Sequence, residues 1–444
     1  MIETQARCWD AAPSEPAAPE GAWTTPELSA LAASLADVGP APSRTADCLA
    51  QVEALEALKA AAAAAQARVT AAYAVRERAR LEGLRSTDAG GRRGPAPEPV
   101  IGCQLGLARR ESPARGRFLV GASTALVEDL PQTLAALTRG ELTEERALLI
   151  VRETDDLARE DRTRVDDDLW SGTGAGCAAA LGTDQLRELV RRLVTAADSE
   201  AATRRASRAR ARRHVAGRLL GDGTGRITAV VRSEHYGPVM KALQEAASAA
   251  RLAGDPRTAD QVRADVLVER VTGLDPQAPR RIDLRLVLSL ASLWGECEDP
   301  GWVPGSGHLP VEVCRQLLGE AFEQHAVTVR RLFALPDDGQ LVAMERPSRC
   351  FDGLLAEMIR LRDGETCRTP WCDAPIRQLD HVVPRRERGP TSFENGQGLC
   401  ETCNQVKEAP GWTSWVGFAG GGPEIGAFTS SGRAYYGKPP PLPV

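Results

Sequence analysis

Two close pairs of cysteines stand near the C-terminal end of the sequence. They form the patterns C-x4-C and C-x2-C, and the residues are Cys367, Cys372, Cys400 and Cys403. Four thiolates in two such pairs make the tetrahedral set that structural zinc prefers, and a closed four-cysteine site holds a small fold together without reacting itself. The spacing therefore predicts structural zinc bound by these four side chains.

An acid and an imidazole are adjacent in the apolar run LDHVVP between the pairs, as Asp380 and His381. Hydrolysis of a phosphodiester needs a base that deprotonates water and a cation that neutralises charge on the phosphate. A histidine that titrates near neutral pH can supply the base, and carboxylate and amide oxygens can hold a hard cation. The alternative for such a pair is an ordinary surface or strand-end contact.

The residues around this pair predict a small β-β-α unit. PIRQLDHVVP is typical of a strand that ends at Pro384, FENGQGLC of a second short strand or turn, and ETCNQVKEA of a helix. The inner polar residues of this unit are His381, Asn395 and Asn404.

The order Cys-x4-Cys, Asp-His, Asn, Cys-x2-Cys-Asn-x2-Lys resembles the HNH endonucleases, with their ββα-metal fold. The resemblance implies that His381 is the general base and that Asp380 and Asn404 hold a divalent ion such as magnesium. It also implies that Asn395 orients the imidazole or the loop. Lys407, one helical turn beyond Asn404, could contact phosphate.

Two features depart from the family pattern. Many members have histidine where this chain has Asn404, and an amide oxygen favours magnesium-like ions over softer ones. Adjacent residues of a regular strand also point to opposite faces, so we expect an irregular backbone if Asp380 and His381 share a cleft.

The resemblance extends upstream of the cysteines, from about residue 45 to 412. LPQTLAALTRGELTEERALLI, DPRTADQVRADVLVE and IRLRDGETCRTPWCDAP look like a large family of high-GC Gram-positive bacteria. That family joins a helical domain of unknown function to a C-terminal HNH nuclease.

The whole chain has the composition of an ordinary globular protein, with 444 residues, 43% hydrophobic and 26% charged. This length predicts two or three units. The sequence has neither a secretory signal at its start nor an apolar run long enough to span a bilayer, and its 11 cysteines are an odd number. We therefore expect a cytoplasmic protein without a disulfide framework.

The fold class predicted is mainly α with a small β component (α+β), ending in the zinc-stapled ββα unit. We expect a mostly disordered segment at 1–43, a helical domain with a small sheet at 44–345, the HNH nuclease domain at 346–416, and a flexible Gly/Pro-rich tail at 417–444.

Periodicity and capping residues predict the individual elements. We expect a first helix capped by Thr25, a long helix from Thr45 that Gly83 ends, and a helix that Thr143 begins. Further helices are expected from Thr183, continuing through the arginine cluster, and over Asp352 to Arg362. Strands are expected over Gly225 to Arg232 and Ile282 to Leu290, with a hairpin from Val327 to Glu345.

Positive charge is concentrated in one stretch, although the net charge of the chain is −5. Ten arginines and four acids lie between Thr183 and Leu220, whereas residues 361–410 carry seven cations and eight acids. The arginine cluster, represented by Arg204, Arg208 and Arg212, is either a solvated helix face or a phosphate contact.

The resemblance implies a metal-dependent DNA endonuclease as the function. A zinc-containing DNA-binding or regulatory protein that does not cleave, and a nuclease that acts on RNA, remain as alternatives. Asp380, His381, Asn395 and Asn404 together favour a nuclease, since a non-cleaving module has no chemical need for them.

Overall fold

The computed structural model shows a mainly helical chain with small antiparallel sheets, as the sequence predicts. The chain divides into two compact units, 1–59 and 60–444. The structure describes residues 23–39, 44–87, 94–172, 178–220, 224–273, 286–287, 289–303, 307–323, 351–419, 422–429 and 431–440.

The first helix, α1 (Thr25–Ser34), begins one residue earlier than the sequence predicts. Its N-cap is Thr24, whose hydroxyl accepts from the N–H of Glu27 at 3.4 Å while the Glu27 carboxylate accepts from the N–H of Thr24 at 2.6 Å. This reciprocal pair requires a glutamate or glutamine three residues after the cap, and counting back from Glu27 places the cap at Thr24.

Eight further helices lead to the arginine cluster. They are α2 (Thr45–Thr87), α3 (Pro97–Arg109), α4 (Pro113–Glu128), α5 (Pro131–Thr138), α6 (Glu144–Thr154), α7 (Arg159–Trp170), α8 (Thr183–Ala197) and α9 (Ser199–Ala211). The prediction that Gly83 ends α2 is wrong, because the helix continues through it to Thr87. A glycine with helical backbone angles weakens a helix by about 1 kcal/mol but does not stop it.

We call residues 60–211 the helical region, and most of its core is one large apolar cluster. The alanines of α2 supply one wall, with Ala64 fully buried, and Leu105 of α3, helices α4 to α8 and the segments between them supply the rest. The helix predicted to begin at Thr183 is confirmed as α8, and it buries Leu186, Val190 and Val194. Thr143 caps α6 as predicted, accepting from the N–H of Arg146 at 3.4 Å.

Helices α3 and α4 cross with their backbones in contact, which the sequence analysis did not predict. A Cβ placed on Gly116 would lie 2.0 Å from the carbonyl oxygen of Gly102, and one placed on Gly102 would lie 2.9 Å from the Cα of Arg117. Only glycine permits this approach at both positions.

The arginine cluster does not continue α8, contrary to the prediction. Asp198 has extended backbone angles (φ −149°, ψ 99°) and separates α8 from α9. Its carboxylate accepts from the N–H of Glu200 at 2.8 Å, which satisfies a donor in the first turn of α9. An aspartate followed by a serine and a glutamate is a helix start, and this signal interrupts the apolar period.

A hairpin and several short elements follow α9. They are β1 (His214–Leu219), β2 (Gly225–Val230), α10 (Ser233–Leu252), α11 (Ala259–Thr272), α12 (Leu290–Trp294), β3 (Gly301–Val303), β4 (Gly307–Leu309) and α13 (Val311–Glu323). The predicted strand from Gly225 is confirmed as β2, which pairs antiparallel with β1.

The predicted strand from Ile282 to Leu290 is described only in part. Val287 pairs with Trp302, but Leu290 belongs to α12, which Ser289 caps by accepting from the N–H of Ser292 at 3.0 Å. The strand therefore ends before Leu290. The predicted hairpin from Val327 to Glu345 lies outside the described residues.

The C-terminal part contains the predicted β-β-α order. Its elements are α14 (Gly353–Arg362), β5 (Gln378–His381), β6 (Gly396–Leu399), α15 (Glu401–Val406), β7 (Thr413–Ala419), β8 (Gly422–Phe428) and β9 (Ala434–Gly437). Strands β5 and β6 pair antiparallel, with Asp380 opposite Gln397 and His381 opposite Gly396. We call residues 365–409, which hold β5, β6, α15 and both cysteine pairs, the ββα unit.

Strands β7 to β9 form one antiparallel sheet in a stretch where the Gly/Pro composition predicts a flexible tail. Trp415 explains the difference, because its ring packs against Phe428 at 5.3 Å and Tyr436 at 5.8 Å. A Cβ on Gly426 would lie 2.2 Å from the Trp415 ring, so this glycine makes room for an aromatic side chain.

Helix α15 packs against the helical region through a second apolar cluster. Val406 and Ala409 are buried there with residues of α2 and α3, namely Ala74, Leu81, Val100, Ile101, Cys103 and Leu107. The chain boundaries predicted at 43/44, 345/346 and 416/417 stay predictions.

Candidate active site and zinc centre

The four paired cysteines come together in the structure, as predicted. All four side chains are buried, and their sulfur atoms lie within 4.8 Å of one another. The Sγ atom of Cys372 lies 3.9 Å from that of Cys400 and 3.8 Å from that of Cys403. Zinc–sulfur bonds of about 2.3 Å in a tetrahedron put the sulfurs about 3.8 Å apart, so this set fits structural zinc.

Local backbone geometry directs the four cysteine sulfurs toward a common centre. In the first loop, Trp371 has a left-handed φ of 58°, which turns the chain just before Cys372. In the second, Cys400 is the N-cap of α15, and its sulfur accepts from the N–H of Cys403 at 3.4 Å. A turn and a helix start thus hold the two pairs.

The thiols of this cluster cannot all ionise on their own. The neighbouring sulfur of Cys367 lowers the pKa of Cys400 below that of an ordinary thiol and raises the pKa of Cys372. A dication held by all four side chains, Cys367, Cys372, Cys400 and Cys403, would remove this conflict, because each sulfur binds zinc as a thiolate.

His381 ends β5 and is buried, with 7% of its surface exposed. Its Nε2 atom lies 3.0 Å from the hydroxyl oxygen of Thr391, and its ring centroid lies 4.6 Å from that of Phe351. Burial lowers the pKa of His381 below its ordinary value, while the nearby Asp380 opposes that shift. The imidazole is therefore neutral at pH 7 and can accept a proton.

Asp380 reaches His381 from the other face of β5. The strand is regular through both residues, so the expected backbone irregularity is absent from β5. Instead, the Asp380 carboxylate turns back and its Oδ1 accepts from the N–H of His381 at 2.7 Å, which brings Oδ1 within 3.7 Å of the His381 Nδ1. The expectation that only an irregular strand could bring the pair together is wrong, since a side chain of this length can bend around a strand end.

Asn404 and Lys407 approach the same face of β5 from α15. The Asn404 Nδ2 donates to the Gln378 side chain, and its Oδ1 is a buried atom without a hydrogen-bond partner in the described part of the chain. The Lys407 ammonium pairs with Asp380 Oδ2 at 2.5 Å and donates to the carbonyl of His381 at 3.2 Å. The structure thus brings Lys407 to Asp380 and His381, and it places Asn404 beside Gln378, two residues before Asp380 on β5.

Asn395 fastens the loop that follows β5. Its Oδ1 accepts from the N–H of Val383 at 2.8 Å, and its Nδ2 donates to the carbonyls of Val383 at 3.0 Å and Pro390 at 2.8 Å. Gly389 lies against this contact, because a Cβ there would be 1.8 Å from the Val383 carbonyl oxygen. Of the two roles considered for Asn395, these bonds favour the loop over the imidazole.

A buried ion cluster at the end of α14 supports the same segment, and sequence reasoning missed it. The Asp363 carboxylate pairs with Arg362 at 2.7 Å and Arg368 at 3.2 Å, and accepts from the N–H of Gly398 at 2.8 Å. Arg362 also donates to the carbonyls of Phe393 and Gly396, on either side of Asn395. The adjacent Arg362 and Asp363 in LRDGETC were the sequence feature that could have indicated this ion cluster.

The three arginines of α9 differ in their partners. Arg204 pairs with Asp198 at 2.7 Å, and Arg208 pairs with Asp156. Arg212 is exposed at the end of the helix and has no acidic partner in the described ranges. Two of the three therefore have a structural use within the protein.

Comparisons with known proteins identify one part of the chain. No curated protein and no solved structure matches the chain.

Within the described ranges, every helix is too short or too polar to cross a membrane. The upstream resemblance of the helical region stays a prediction, as does the bacterial group. Residues 365–409 match the family model of the HNH endonucleases, so the ββα unit is similar to an HNH endonuclease domain, which suggests a nuclease of that family.

Proposed function

We propose that the protein is a metal-dependent endonuclease that hydrolyses phosphodiester bonds in DNA. The observation that carries the proposal is the buried His381 imidazole, whose Nδ1 lies 3.7 Å from the Asp380 carboxylate inside the HNH domain. A proton acceptor and a ligand for a hard cation at this separation can act on the same water molecule.

His381 acts as the general base in this proposal. This role assigns the tautomer with the proton on Nε2, which then donates to the Thr391 hydroxyl, fixes the ring and leaves the lone pair of Nδ1 to take a proton from water. The lowered pKa keeps the imidazole in the accepting form at neutral pH. Thr391 is buried, so this hydrogen bond is shielded from solvent.

Asp380 and Asn404 hold the catalytic divalent ion, magnesium or a similar one. The unpartnered Oδ1 of Asn404 and the carboxylate of Asp380 form the oxygen donor set that a hard cation prefers. When bound, the ion supplies positive charge that stabilises the phosphate and the leaving oxygen. The residues of the chain orient the substrate, and Asn395 keeps the loop after β5 in place around them.

Nucleic acid contacts are proposed at two places. Lys407 lies in the site, and the arginine cluster of α9 offers positive charge that the near-neutral ββα unit lacks. Arg204, Arg208 and Arg212 all remain candidates, and the exposed Arg212 is the one without an acidic partner in the described ranges.

The alternatives make different demands on these residues. A DNA-binding or regulatory protein that does not cleave would need the cysteines but not a neutral His381 beside Asp380. A nuclease acting on RNA would use the same site, and no described contact distinguishes the sugars. The site geometry therefore favours cleavage and leaves the choice of nucleic acid to experiment.

The deciding experiment incubates zinc-loaded protein with plasmid DNA and with RNA, in magnesium and in EDTA. We expect magnesium-dependent cleavage of DNA and its loss in His381→Ala, by about 100-fold or more, because the proton acceptor is gone. DNA binding and zinc content should be unchanged in that variant. Cleavage by His381→Ala at the wild-type rate would exclude the mechanism, and cleavage of RNA alone would favour the third alternative.

A further inference from the structure

Lys407 forms an ion pair with Asp380, the carboxylate that is proposed to bind the catalytic ion. Its ammonium nitrogen lies 2.5 Å from Asp380 Oδ2 and donates to the carbonyl oxygen of His381 at 3.2 Å. The Lys407 side chain is only 10% exposed, whereas Asp380 is 34% exposed. The ammonium therefore approaches the carboxylate from inside the protein, and solvent reaches Asp380 from the other side.

Both oxygens of Asp380 already have donors on this chain. Oδ1 accepts from the N–H of His381 at 2.7 Å, and Oδ2 carries the ion pair with Lys407. The Asn404 Oδ1, by contrast, lacks a partner in the described part of the chain. Of the two proposed ligands, Asn404 is thus available to the ion, whereas the charge of Asp380 is neutralised by the Lys407 ammonium.

A divalent ion and this ammonium compete for Oδ2. Magnesium binds oxygen at about 2.0 to 2.1 Å, so an ion on Oδ2 would lie within about 4.6 Å of a nitrogen that is 2.5 Å from the same atom. Two positive charges at that separation repel strongly, and partial burial reduces the screening by water.

We propose that Lys407 is an internal competitor for the catalytic ion, which must displace the ammonium from Asp380 in order to bind. This inference rests on the proposed function, because it takes Asp380 as a ligand of the ion. Lys407 sets the affinity of the site for metal, and once displaced its ammonium is available to the phosphate of the substrate. Free protein then binds divalent ions weakly.

The test measures binding of Mn²⁺, a hard ion in place of magnesium, to full-length zinc-loaded protein by electron paramagnetic resonance. Lys407→Met and Lys407→Gln should lower the Kd for Mn²⁺ by about tenfold, because the competing charge is removed. Lys407→Arg, which keeps the charge, should stay near the wild-type Kd. A lysine with a merely structural role would weaken the site when it is replaced, which is the opposite result.

Arg386 provides the matched control. It pairs with Glu408 at 2.9 Å, and none of its described ion pairs involves Asp380. Arg386→Met removes one positive charge from the same area, so its Kd for Mn²⁺ should stay within about twofold of wild type if direct competition is the cause. An equal gain of affinity in Arg386→Met would overturn the inference in favour of a general charge effect.

The remaining outcomes separate the inference from the proposed function. Unchanged or weaker Mn²⁺ binding in folded Lys407→Met and Lys407→Gln would overturn the inference alone, provided that wild type binds and Asp380→Asn does not. Failure of every zinc-loaded variant to bind Mn²⁺ would overturn both. Binding by Lys407→Met but not by wild type would support competition in its strongest form.

Discussion

The helical region and the ββα unit are held together by different means. The helical region buries a large set of leucine, isoleucine and valine side chains in one cluster, with Leu130, Leu137 and Ile150 fully enclosed. The ββα unit has an apolar cluster made of the four cysteines and Leu399. Its other stabilising features are the candidate zinc site and the buried ion pairs of Asp363, which lies just before the unit.

This difference suits the two parts to different tasks. A buried leucine contributes about 1.5 to 3 kcal/mol wherever it packs, so a large apolar core tolerates small displacements. Metal coordination and buried ion pairs are directional, and they fix nearby backbone atoms within narrow limits. The proposed catalytic residues lie in the part of the molecule where position is fixed by directional bonds.

Removal of zinc should have the largest effect and should separate the two regions. Cys400→Ser, or chelation of wild type, should unfold the ββα unit, since structural zinc contributes on the order of 10 kcal/mol to small domains. The helical region should keep its structure because its core does not contain the metal. Metal analysis and hydrogen exchange resolved along the chain would measure both.

Cys314→Ala is the control for this prediction. Cys314 is also buried, but it belongs to the apolar cluster with Val303 and Leu309 and is not one of the four grouped sulfurs. The variant should bind zinc at the wild-type stoichiometry of one. A Cys400→Ser protein with its ββα unit intact would contradict the comparison, because that unit would then not depend on metal.

The buried ion cluster should give the second largest effect. Arg362→Ala leaves Asp363 short of its bidentate partner and frees two carbonyls near Asn395, so we expect a loss of about 3 to 5 kcal/mol. Arg360→Ala, on the same helix, removes a partly exposed pair with Glu365 at 3.5 Å and should cost at most about 1 kcal/mol. Urea unfolding followed by tryptophan fluorescence would compare them, and equal losses would count against the buried cluster.

In the helical region, the corresponding polar contact is the cap of α5. The fully buried Asp166 carboxylate accepts from the N–H of Gln132 at 2.7 Å, from the N–H of Thr133 at 3.1 Å and from the Thr133 hydroxyl. Asp166→Ala should therefore destabilise the protein by about 1 to 3 kcal/mol without affecting zinc. The exposed neighbour Asp167, replaced by alanine, should change the melting temperature little, and an equal effect would refute the cap.

The sequence predicts the ββα unit better than the helical region. Cysteine spacing and the order of Asp380, His381, Asn395 and Asn404 are local patterns with a chemical reason, and the structure brings the cysteines together as expected. The ion pair of Lys407 with Asp380 could not be predicted, since residues 27 apart in sequence meet only through the packing of α15 on β5.

Failures in the helical region have two causes. Two of them are local: the helical period was given more weight than the helix start at Asp198, which accepts a hydrogen bond from Glu200, and Gly83 was expected to end α2, although the helix continues through it. The close crossing of α3 and α4 depends instead on Gly102 and Gly116, which meet only after folding. Such tertiary contacts leave no periodic signal.

Acidification should weaken the ββα unit through His381. Burial holds the pKa of His381 below its ordinary value, so between that lowered value and about 6.5 the unfolded chain binds a proton that the folded chain does not. The stability is full above about pH 6.5 and is lost as pH falls through the folded pKa, by at most about 1.4 kcal/mol per pH unit for one proton. His381→Gln should reduce this slope in pH-dependent unfolding, and identical slopes would contradict it.

The smallest expected effect concerns the arginine cluster, because Arg204 and Arg208 of α9 pair with acids whereas Arg212, one residue beyond the helix, has no acidic partner in the described ranges. Replacing Arg212 by Gln should lower the slope of log K against log salt for DNA binding by about 0.9, the value for one phosphate contact. Arg204→Gln and Arg208→Gln should change the slope less, because their guanidinium groups already pair with Asp198 and Asp156. Fluorescence anisotropy with the uncleaving His381→Ala protein as background would measure binding apart from cleavage. An unchanged slope in all three variants would make α9 a solvated face and would leave Lys407 as the proposed phosphate contact.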